Sequence, residues 1–324
     1  MLNDPVILND WHAVARASEV EEGRVRAARL LGVDIVLWSD SGTVHAWRDQ
    51  CRHRGAKLSL GSVQDGCLVC PYHGWRYDGA GACIHVPSHP ELAEPLRARA
   101  DVFRVQLRCG LVWVSLGAPS HGVPIPPEWD DPSFRTVVSG PYRFRAWGTR
   151  VLENFLDVGH YPFVHGAPQL DPGRLAMGDY RVEEGPGGPV ARDIRVRRVW
   201  RDGPDGTGEV DVLYTYRVLR PLAGSFTKSH AGEKFSMMDA VTPVDEAESL
   251  VWTLMAVNYD TGESDRELVG YQDRVTGQDV PIVESQRPAL LPLEPGAEIH
   301  LPSDAMAAAY RRWLRKLGVA YGVR

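Results

Sequence analysis

Two short cysteine–histidine motifs constrain this chain more than any other feature of its sequence. Residues 54–69 separate the first motif, Cys51-x-His53, from the second, Cys70-x-x-His73. Each motif supplies one thiolate and one imidazole, and both types of group bind iron–sulfur clusters. Two such loops facing each other predict a [2Fe–2S] cluster with cysteines on one iron and histidines on the other.

The same residues also allow two simpler arrangements. Cys67-x-x-Cys70 has the spacing of a structural zinc site, although no second CxxC completes a four-cysteine set. Buried cysteines beside solvated histidines would need no metal. Paired Cys/His motifs favour the cluster, and we expect Trp75 to shield it from water. The nearby glycines that permit tight turns are Gly55, Gly61, Gly66 and Gly74.

A second group of potential ligands lies in residues 153–165, with the sequence ENFLDVGHYPFVH. Asp157 and His160 are three residues apart and therefore share a face if the segment is helical. His160 and His165 with one carboxylate would form the ligand set of an Fe(II) site that activates O₂. Pro162 predicts that a helix ends or kinks here, so that His165 turns back towards His160. The alternative is a helix end whose histidines interact with the helix dipole.

The carboxylate of such a site must come from a distant part of the chain. Residues 271–288 offer three candidates, Asp273, Asp279 and Glu284. Asp279 lies just before Pro281, so the residues alone also allow it to cap a helix that follows.

The arrangement of hydrophobic runs predicts an α+β chain. Short runs within residues 24–50 indicate small antiparallel sheets, and a proline-rich segment at 117–132 suggests a boundary between domains 1–120 and 121–324. Alternating runs at 191–200, 211–219, 233–244 and 249–258 predict strands, the last two as a hairpin.

A C-terminal amphipathic helix is predicted, capped by Ser303 and ended by Gly318. Its apolar stripe comprises Met306, Tyr310, Trp313, Leu314 and Leu317.

Composition excludes several broad classes of protein. The formal net charge of −6 argues against a nucleic-acid binder. The longest apolar run, at 250–257, is too short to span a membrane, and the first twenty residues lack a secretory signal. These features predict a cytoplasmic protein.

The segments CRHRGAKL and CPYHGWRYDGAGACIHVPS resemble the first domain of the Rieske non-heme iron oxygenases. The resemblance implies that Cys51, His53, Cys70 and His73 hold the cluster. Arg54 and Tyr72 stand where respiratory Rieske proteins carry additional cysteines. The remaining cysteines are then expected in the core, namely Cys67, Cys83 and Cys109.

The pattern Asp157-x-x-His160-x-x-x-x-His165 resembles the iron site in the catalytic domain of the same family. The resemblance implies a helix-grip (START-like) fold, with His160, His165 and Asp279 on the iron. It places Asn154 near the iron. Asp157 is implied to be a bridge to a cluster histidine, His73, of the neighbouring subunit in a homotrimer.

The family resemblance also implies a reaction, with O₂ as co-substrate and electrons from NAD(P)H delivered by a ferredoxin or ferredoxin reductase. The chain looks similar to the vanillate, dicamba and toluenesulfonate oxygenases, and particularly to saxitoxin-pathway hydroxylases. We therefore expect C–H hydroxylation of a small molecule, with O-demethylation as an alternative. Basic residues near the cluster are candidates for ferredoxin docking or for a solvated rim: Arg52, Arg54, Lys57 and Arg76.

Two different classes of function remain as alternatives. An electron-transfer protein would use the cluster alone, with the second domain as a scaffold. A ligand-binding module would enclose a small molecule in the helix-grip cavity and consume no O₂.

Overall fold

The computed structural model describes residues 3–92, 97–165, 180–199 and 209–324. The chain forms two compact units, residues 1–123 and 124–324, and the division falls within the proline-rich segment. No helix in these described ranges is both long and apolar enough to cross a bilayer.

Within its described residues, the first unit contains three small antiparallel sheets and one short α-helix. Their strand orders are β1-β10-β9, β2-β3-β4 and β5-β6-β7-β8. The elements are α1 (Pro5–Leu8), β1 (His12–Arg16), β2 (Val25–Leu30), β3 (Val33–Asp40), β4 (Thr43–Arg48), β5 (Ser62–Gln64), β6 (Cys67–Val69), β7 (Arg76–Tyr77), β8 (Cys83–His85), β9 (Arg104–Arg108) and β10 (Leu111–Ser115).

Two-residue turns explain why these short strands pair as hairpins. Between β2 and β3, Leu31 and Gly32 have φ of 52° and 76°, the combination that a tight hairpin turn needs to match the twist of its strands. The same combination joins β3 to β4, β5 to β6 and β9 to β10. The antiparallel β architecture predicted for this region is confirmed. Its core is built around Trp38, Trp47, Leu68 and Tyr77.

The second unit is a seven-stranded antiparallel sheet with helices packed on it. Its strand order is β11-β17-β16-β15-β14-β13-β12, so the first and last strands along the chain are neighbours. The elements are β11 (Arg135–Phe144), α2 (Gly148–Leu156), α3 (Tyr161–Val164), β12 (Val182–Glu184), β13 (Pro189–Val199), β14 (Glu209–Arg220), β15 (Ala223–His230), β16 (Glu233–Pro243), β17 (Ser249–Val257), α4 (Asp265–Ser285) and α5 (Ala305–Leu317).

The predicted strands of this unit are confirmed as β13, β14, β16 and β17, and β16–β17 is the expected hairpin. Trp200, at the end of the first predicted run, lies outside the described residues. The sequence did not predict β15, because its polar composition, AGSFTKSH, hides the alternation. β11 also begins at Arg135, before the segment YRFRAW that marked it.

The helices differ more from expectation. α4 was not predicted, because Gly270, Gly277 and Pro281 lie within it and most of its surface is exposed. α5 begins at Ala305 with Asp304 at the N-cap, so Ser303 is not the cap. Gly318 ends α5 in the left-handed conformation, as predicted. α4 lies against β11, and α2 lies against β15 and β16.

Candidate metal centres

Two similar loops present the first set of donors. One runs from Cys51 to Gly55 after β4, and the other runs from Cys70 to Gly74 between β6 and β7. In each loop the glycine N–H donates to the carbonyl of the cysteine, at 2.9 Å and 3.1 Å. Both glycines have φ near 70°, which side chains rarely adopt, so each loop can reverse within five residues.

The four predicted ligands of the first set come together. The Nδ1 atoms of His53 and His73 are 3.1 Å apart, and both imidazoles are exposed. The thiols of Cys51 and Cys70 are hydrogen-bonding neighbours and are buried. Desolvation and the nearby His73 lower the pKa of His53, which favours the neutral, metal-binding imidazole. Two converging nitrogens beside two buried thiols fit a [2Fe–2S] cluster.

Backbone and aromatic groups surround the two thiols. Burial raises the pKa of the Cys70 thiol, whereas backbone N–H groups of Tyr72 and His73 donate to it and oppose this effect. Trp75 stacks on His53, with the ring centroids 4.7 Å apart. The Tyr77 hydroxyl lies 3.3 Å from Cys51 Sγ. Sequence reasoning missed Tyr77, because nothing local links it to a cysteine 26 residues away.

The other three cysteines lie outside this donor set. Cys67 and Cys83 are buried, and their thiols donate to the backbone carbonyls of Asp65 and His85. Cys109 is in the turn between β9 and β10 and is partly buried.

The second donor set is formed by His160, His165 and Asp279. The two Nε2 atoms are 3.2 Å apart, and Asp279 Oδ1 lies 3.5 Å from His160 Nε2 and 3.4 Å from His165 Nε2. Their potential ligand atoms all lie within 4.8 Å of one another. Asp279 Oδ1 is buried and has no hydrogen-bond partner among the described residues. A divalent cation between the three side chains would satisfy it, and two histidines with one carboxylate suit Fe(II).

The local backbone differs from the predicted kink at Pro162. α2 already ends at Leu156, with Asp157 at its C-cap, and Pro162 lies in the first turn of α3. His160 and His165 are the residues that flank this single turn, at its N-cap and C-cap. Proline suits a first helical turn because its missing N–H would be unpaired there anyway.

Asp279 comes from the second half of α4. It does not cap a helix, because Pro281 lies inside α4 and the helix continues to Ser285. Burial raises the pKa of Asp279, while the two histidines and a hydrogen bond from Asn154 oppose the rise. The other carboxylates considered are occupied elsewhere: Asp273 accepts from Tyr142, and Glu284 accepts from the backbone N–H of Arg145.

Gln278 orients one of the histidines. Its Oε1 lies 3.0 Å from His165 Nδ1. Because an amide oxygen only accepts, His165 carries its proton on Nδ1, and the lone pair of Nε2 faces Asp279 and His160. Partners of this kind set the tautomer of a metal-binding histidine. Gln278 was missed from sequence, although its position beside Asp279 was a usable signal.

Asp157 lies on the other side of His160. Its Oδ1 accepts from the backbone N–H of Gly159 at 2.7 Å, and its Oδ2 is 3.7 Å from His160 Nδ1. This second distance is too long for a hydrogen bond, and His160 Nδ1 has no partner among the described residues. The Asp157 side chain is 41% exposed and thus accessible from outside the unit.

A cavity of about 740 Å³ opens onto the second donor set. It lies between the sheet and α4 of the second unit. One wall is aromatic, with Phe144, Phe155, Tyr214, Phe226 and Phe235. Polar side chains also line it, and one of them, Asp239 from the middle of β16, was not predicted from the sequence.

The fold and the two donor sets together define a two-domain iron-dependent oxygenase. The sequence matches agree with this class. Residues 10–96 match the family described as Rieske [2Fe-2S] domain, and residues 144–320 match the vanillate O-demethylase oxygenase C-terminal domain.

Known proteins with similar sequences and structures belong to the same class. Methylxanthine N1-demethylase NdmA of Pseudomonas putida is 31% identical over 96% of this chain and 89% of its own length. The structure of NdmA from Pseudomonas putida CBB5 with caffeine has a TM-score of 0.82 at 29% identity, covering 96% of this chain and 91% of that one. Dicamba monooxygenase bound to dicamba shares the fold, with a TM-score of 0.74 at 24% identity over 96% of this chain and 97% of that one.

This chain belongs to the Rieske non-heme iron oxygenases. It is therefore an oxidoreductase of a family that combines a Rieske cluster, mononuclear iron and O₂ with electrons from NAD(P)H through a partner reductase. The predictions of family and fold class are confirmed.

Proposed function

We propose that this protein is the terminal oxygenase component that hydroxylates a C–H bond of a small, planar aromatic molecule. The supporting observation is the aromatic cavity that opens onto His160, His165 and Asp279. The balanced reaction takes one substrate C–H, O₂, two electrons and two protons to C–OH and water. When the carbon is a methyl group on nitrogen or oxygen, the hydroxylated product can lose formaldehyde, so demethylation begins with the same step.

The side chains of the two units have distinct tasks in this proposal. His160, His165 and Asp279 hold the mononuclear iron, and Gln278 keeps the His165 lone pair directed towards it. The Rieske cluster is held by the first donor set, Cys51, Cys70, His53 and His73. When bound, these groups supply electrons and the activation of O₂. The aromatic wall orients the substrate and excludes water from the reacting carbon.

The family matches support the predicted domain assignment. We assign residues 1–120 to the Rieske domain and 121–324 to the catalytic domain. The matches at 10–96 and 144–320 lie on opposite sides of this boundary, and the compact units divide at Val123.

The source of electrons is proposed to be a separate reductase or ferredoxin. Oxidoreductase NdmD of Pseudomonas putida is 40% identical over 120 residues, which cover 36% of this chain and 20% of that protein.

Three of the four basic residues near the cluster are engaged in ion pairs. Arg52 contacts Asp101, Lys57 contacts Asp34 and Arg76 contacts Asp65. These pairs favour a solvated rim over a docking site for an acidic ferredoxin.

We also propose a head-to-tail homotrimer in which Asp157 of one subunit bridges His160 to His73 of the next. The exposed edge of Asp157 and the unpaired His160 Nδ1 support this role. Asp157→Asn should keep both metals, because neither set loses a ligand, and should lower turnover by about 10- to 100-fold. Metal analysis, cluster absorbance and substrate oxidation test this. Native turnover in the variant would exclude the bridge.

The function is tested by O₂ consumption of the reduced, iron-loaded protein with a panel of aromatic compounds. The panel should contain matched N-methyl, O-methyl and C-methyl derivatives of the same ring. We expect substrate-dependent O₂ uptake with stoichiometric hydroxylated or demethylated product. His160→Ala serves as the control that removes a metal ligand. Reduction of the cluster without substrate-dependent O₂ uptake would instead identify an electron-transfer protein.

A further inference from the structure

The charge of the cavity wall is unbalanced. Besides Asp279, which is assigned to the iron, three acidic residues line it, namely Asp239, Asp260 and Glu263. Among the described residues of the lining, Lys228 is the only lysine or arginine, and its ammonium lies 4.5 Å from the centroid of the Phe235 ring. A wall of this composition repels anions and favours neutral or cationic ligands.

Asp239 is the acidic group placed deep in this wall. It lies opposite Thr253 in the β16–β17 pair, and Thr253 Oγ1 donates to Asp239 Oδ1 at 2.6 Å. This contact fixes the carboxyl group and is its only side-chain hydrogen bond within the described parts of the chain. The lining also contains the apolar side chains of Phe226, Met237 and Met255.

Burying a carboxyl group at this position costs free energy, because the ionised form loses its hydration. Burial raises the pKa of Asp239 to about 7, although the Thr253 hydrogen bond opposes the rise. A cross-strand pair of two apolar residues would avoid this cost. A ligand that donates a hydrogen bond to the carboxylate would offset it within the same cavity.

We propose that Asp239 is a specificity-determining residue that binds an N–H group or a protonated nitrogen of the substrate. This inference rests on the proposed function, because it assumes that the cavity receives the substrate. Thr253 acts as a positioning residue, since it engages one carboxylate oxygen and leaves the other for the ligand. The substrate class is then a planar, nitrogen-bearing aromatic molecule without a negative charge.

Three planar probes of nearly equal shape can test this assignment. Benzamidine is cationic, benzamide is neutral and benzoate is anionic. Their affinities for the iron-loaded protein can be measured anaerobically by isothermal titration calorimetry, about one to two pH units above the pKa of Asp239. We expect benzamidine to bind most tightly and benzoate most weakly.

Asp239→Asn should weaken benzamidine binding by about 10- to 100-fold, because a charge-assisted hydrogen bond is lost. Benzoate binding should strengthen, and benzamide binding should change by less than about threefold, because an amide can bind an amide in either orientation. Asp239→Ser should show the same loss for benzamidine. Retained benzamide binding in either variant reports an intact cavity.

Glu263→Gln is the matched control, because it removes one negative charge from the same cavity wall at an exposed position. We expect it to weaken benzamidine binding by no more than about threefold. An equal loss of benzamidine affinity in Glu263→Gln and Asp239→Asn would show that the overall negative charge of the cavity attracts the ligand. It would overturn a direct contact with Asp239. An unchanged order of affinities in Asp239→Asn would also overturn it. Binding is measured without O₂ or electrons, so this result is independent of the turnover test of the proposed function.

Discussion

Both ring nitrogens of His165 lie next to polar side chains that constrain the orientation of the ring. Its Nδ1–H donates to Gln278, and its Nε2 faces His160 and Asp279. His160 differs, because its Nδ1 has no partner in the described parts of the chain. The ring of His165 is therefore fixed by a side chain of its own unit, whereas no described residue hydrogen-bonds to His160 Nδ1.

Replacing Gln278 tests the orientation of His165. Gln278→Leu should weaken Fe(II) binding by about tenfold, because the imidazole loses the acceptor that sets its tautomer. Fe(II) affinity can be measured by competition with a chromogenic chelator. Gln278→Glu keeps an acceptor at the same place and should retain nearly native affinity. Equal losses in the two variants would contradict the orienting role.

At the scale of elements, helix ends determine where the side chains of the site lie. α2 ends just before Asp157, and the single turn of α3 separates the two histidines. α5 begins after Asp304 and ends at Gly318, whose φ is 72°. The cap of α5 therefore depends on a glycine, since side chains rarely adopt this conformation.

Alanine at two glycine positions should have opposite effects on stability. Gly318→Ala should lower the free energy of unfolding by about 1 kcal/mol, because the left-handed cap is strained by a side chain. Gly270→Ala, within α4, should raise it by about 0.5–1 kcal/mol, because an added Cβ meets no atom within 4 Å and helical propensity improves. Urea unfolding of both variants tests the prediction, and effects of the same sign would contradict it.

A buried ion network joins α2 to α5. Arg311 on α5 binds both carboxylate oxygens of Glu153 on α2, and Arg150 on α2 pairs with Glu298. Arg311 also contacts Glu298, so one carboxylate is held between two guanidinium groups. Burial opposes ionisation of Glu298, but hydrogen bonds from Arg150 and Arg311 outweigh it and lower its pKa from 4.5 to about 2.

This lowered pKa predicts a pH-dependent stability. A carboxylate with a depressed pKa in the folded state stabilises above its unfolded pKa of 4.5, and this stabilisation disappears as the pH falls towards about 2. Glu298→Gln should therefore lower the free energy of unfolding by about 1–2 kcal/mol near neutral pH, allowing for solvent screening. The difference should shrink below pH 4.5.

Urea unfolding at several pH values between about 3.5 and 7 measures this difference. Glu294→Gln removes an exposed acid from the same segment and should show no such trend. A constant difference between the Glu298 variant and the native protein would contradict the linkage.

Across the whole molecule, each compact unit carries one of the two candidate donor sets. The cysteine–histidine loops belong to residues 1–123, and the histidine–aspartate set belongs to residues 124–324. Because the predicted ligands of each set all lie within one unit, we expect the two metal centres to assemble independently within each chain.

Metal analysis of two variants tests this independence. The native protein should contain about three irons per chain, two in the cluster and one in the catalytic unit. Asp279→Ala should lose the single iron and retain the visible absorbance of the cluster. Cys70→Ser should lose the cluster and retain Fe(II) binding. Loss of both centres in either variant would show that the units depend on each other for assembly.

The donor motifs and most of the strands could be predicted from the sequence. Each cysteine–histidine loop reverses within five residues and is closed by a glycine and one backbone hydrogen bond, so the loop can be recognised from its own residues. Strands such as β16 and β17 were visible because their alternation and turn are also local. Interactions among near neighbours carry this information, and the sequence displays them directly.

Which distant groups meet could not be predicted, because it depends on how the elements pack in three dimensions. Asp279 reaches the histidines because α4 packs along the sheet. The same helix brings Gln278, the residue before Asp279, to His165. Asp239 faces the cavity because the register of β16 against β17 sets the direction of its side chain. A shift of one residue would reverse that direction. Burial of the whole sheet selects the register, so this part of the site depends on long-range packing.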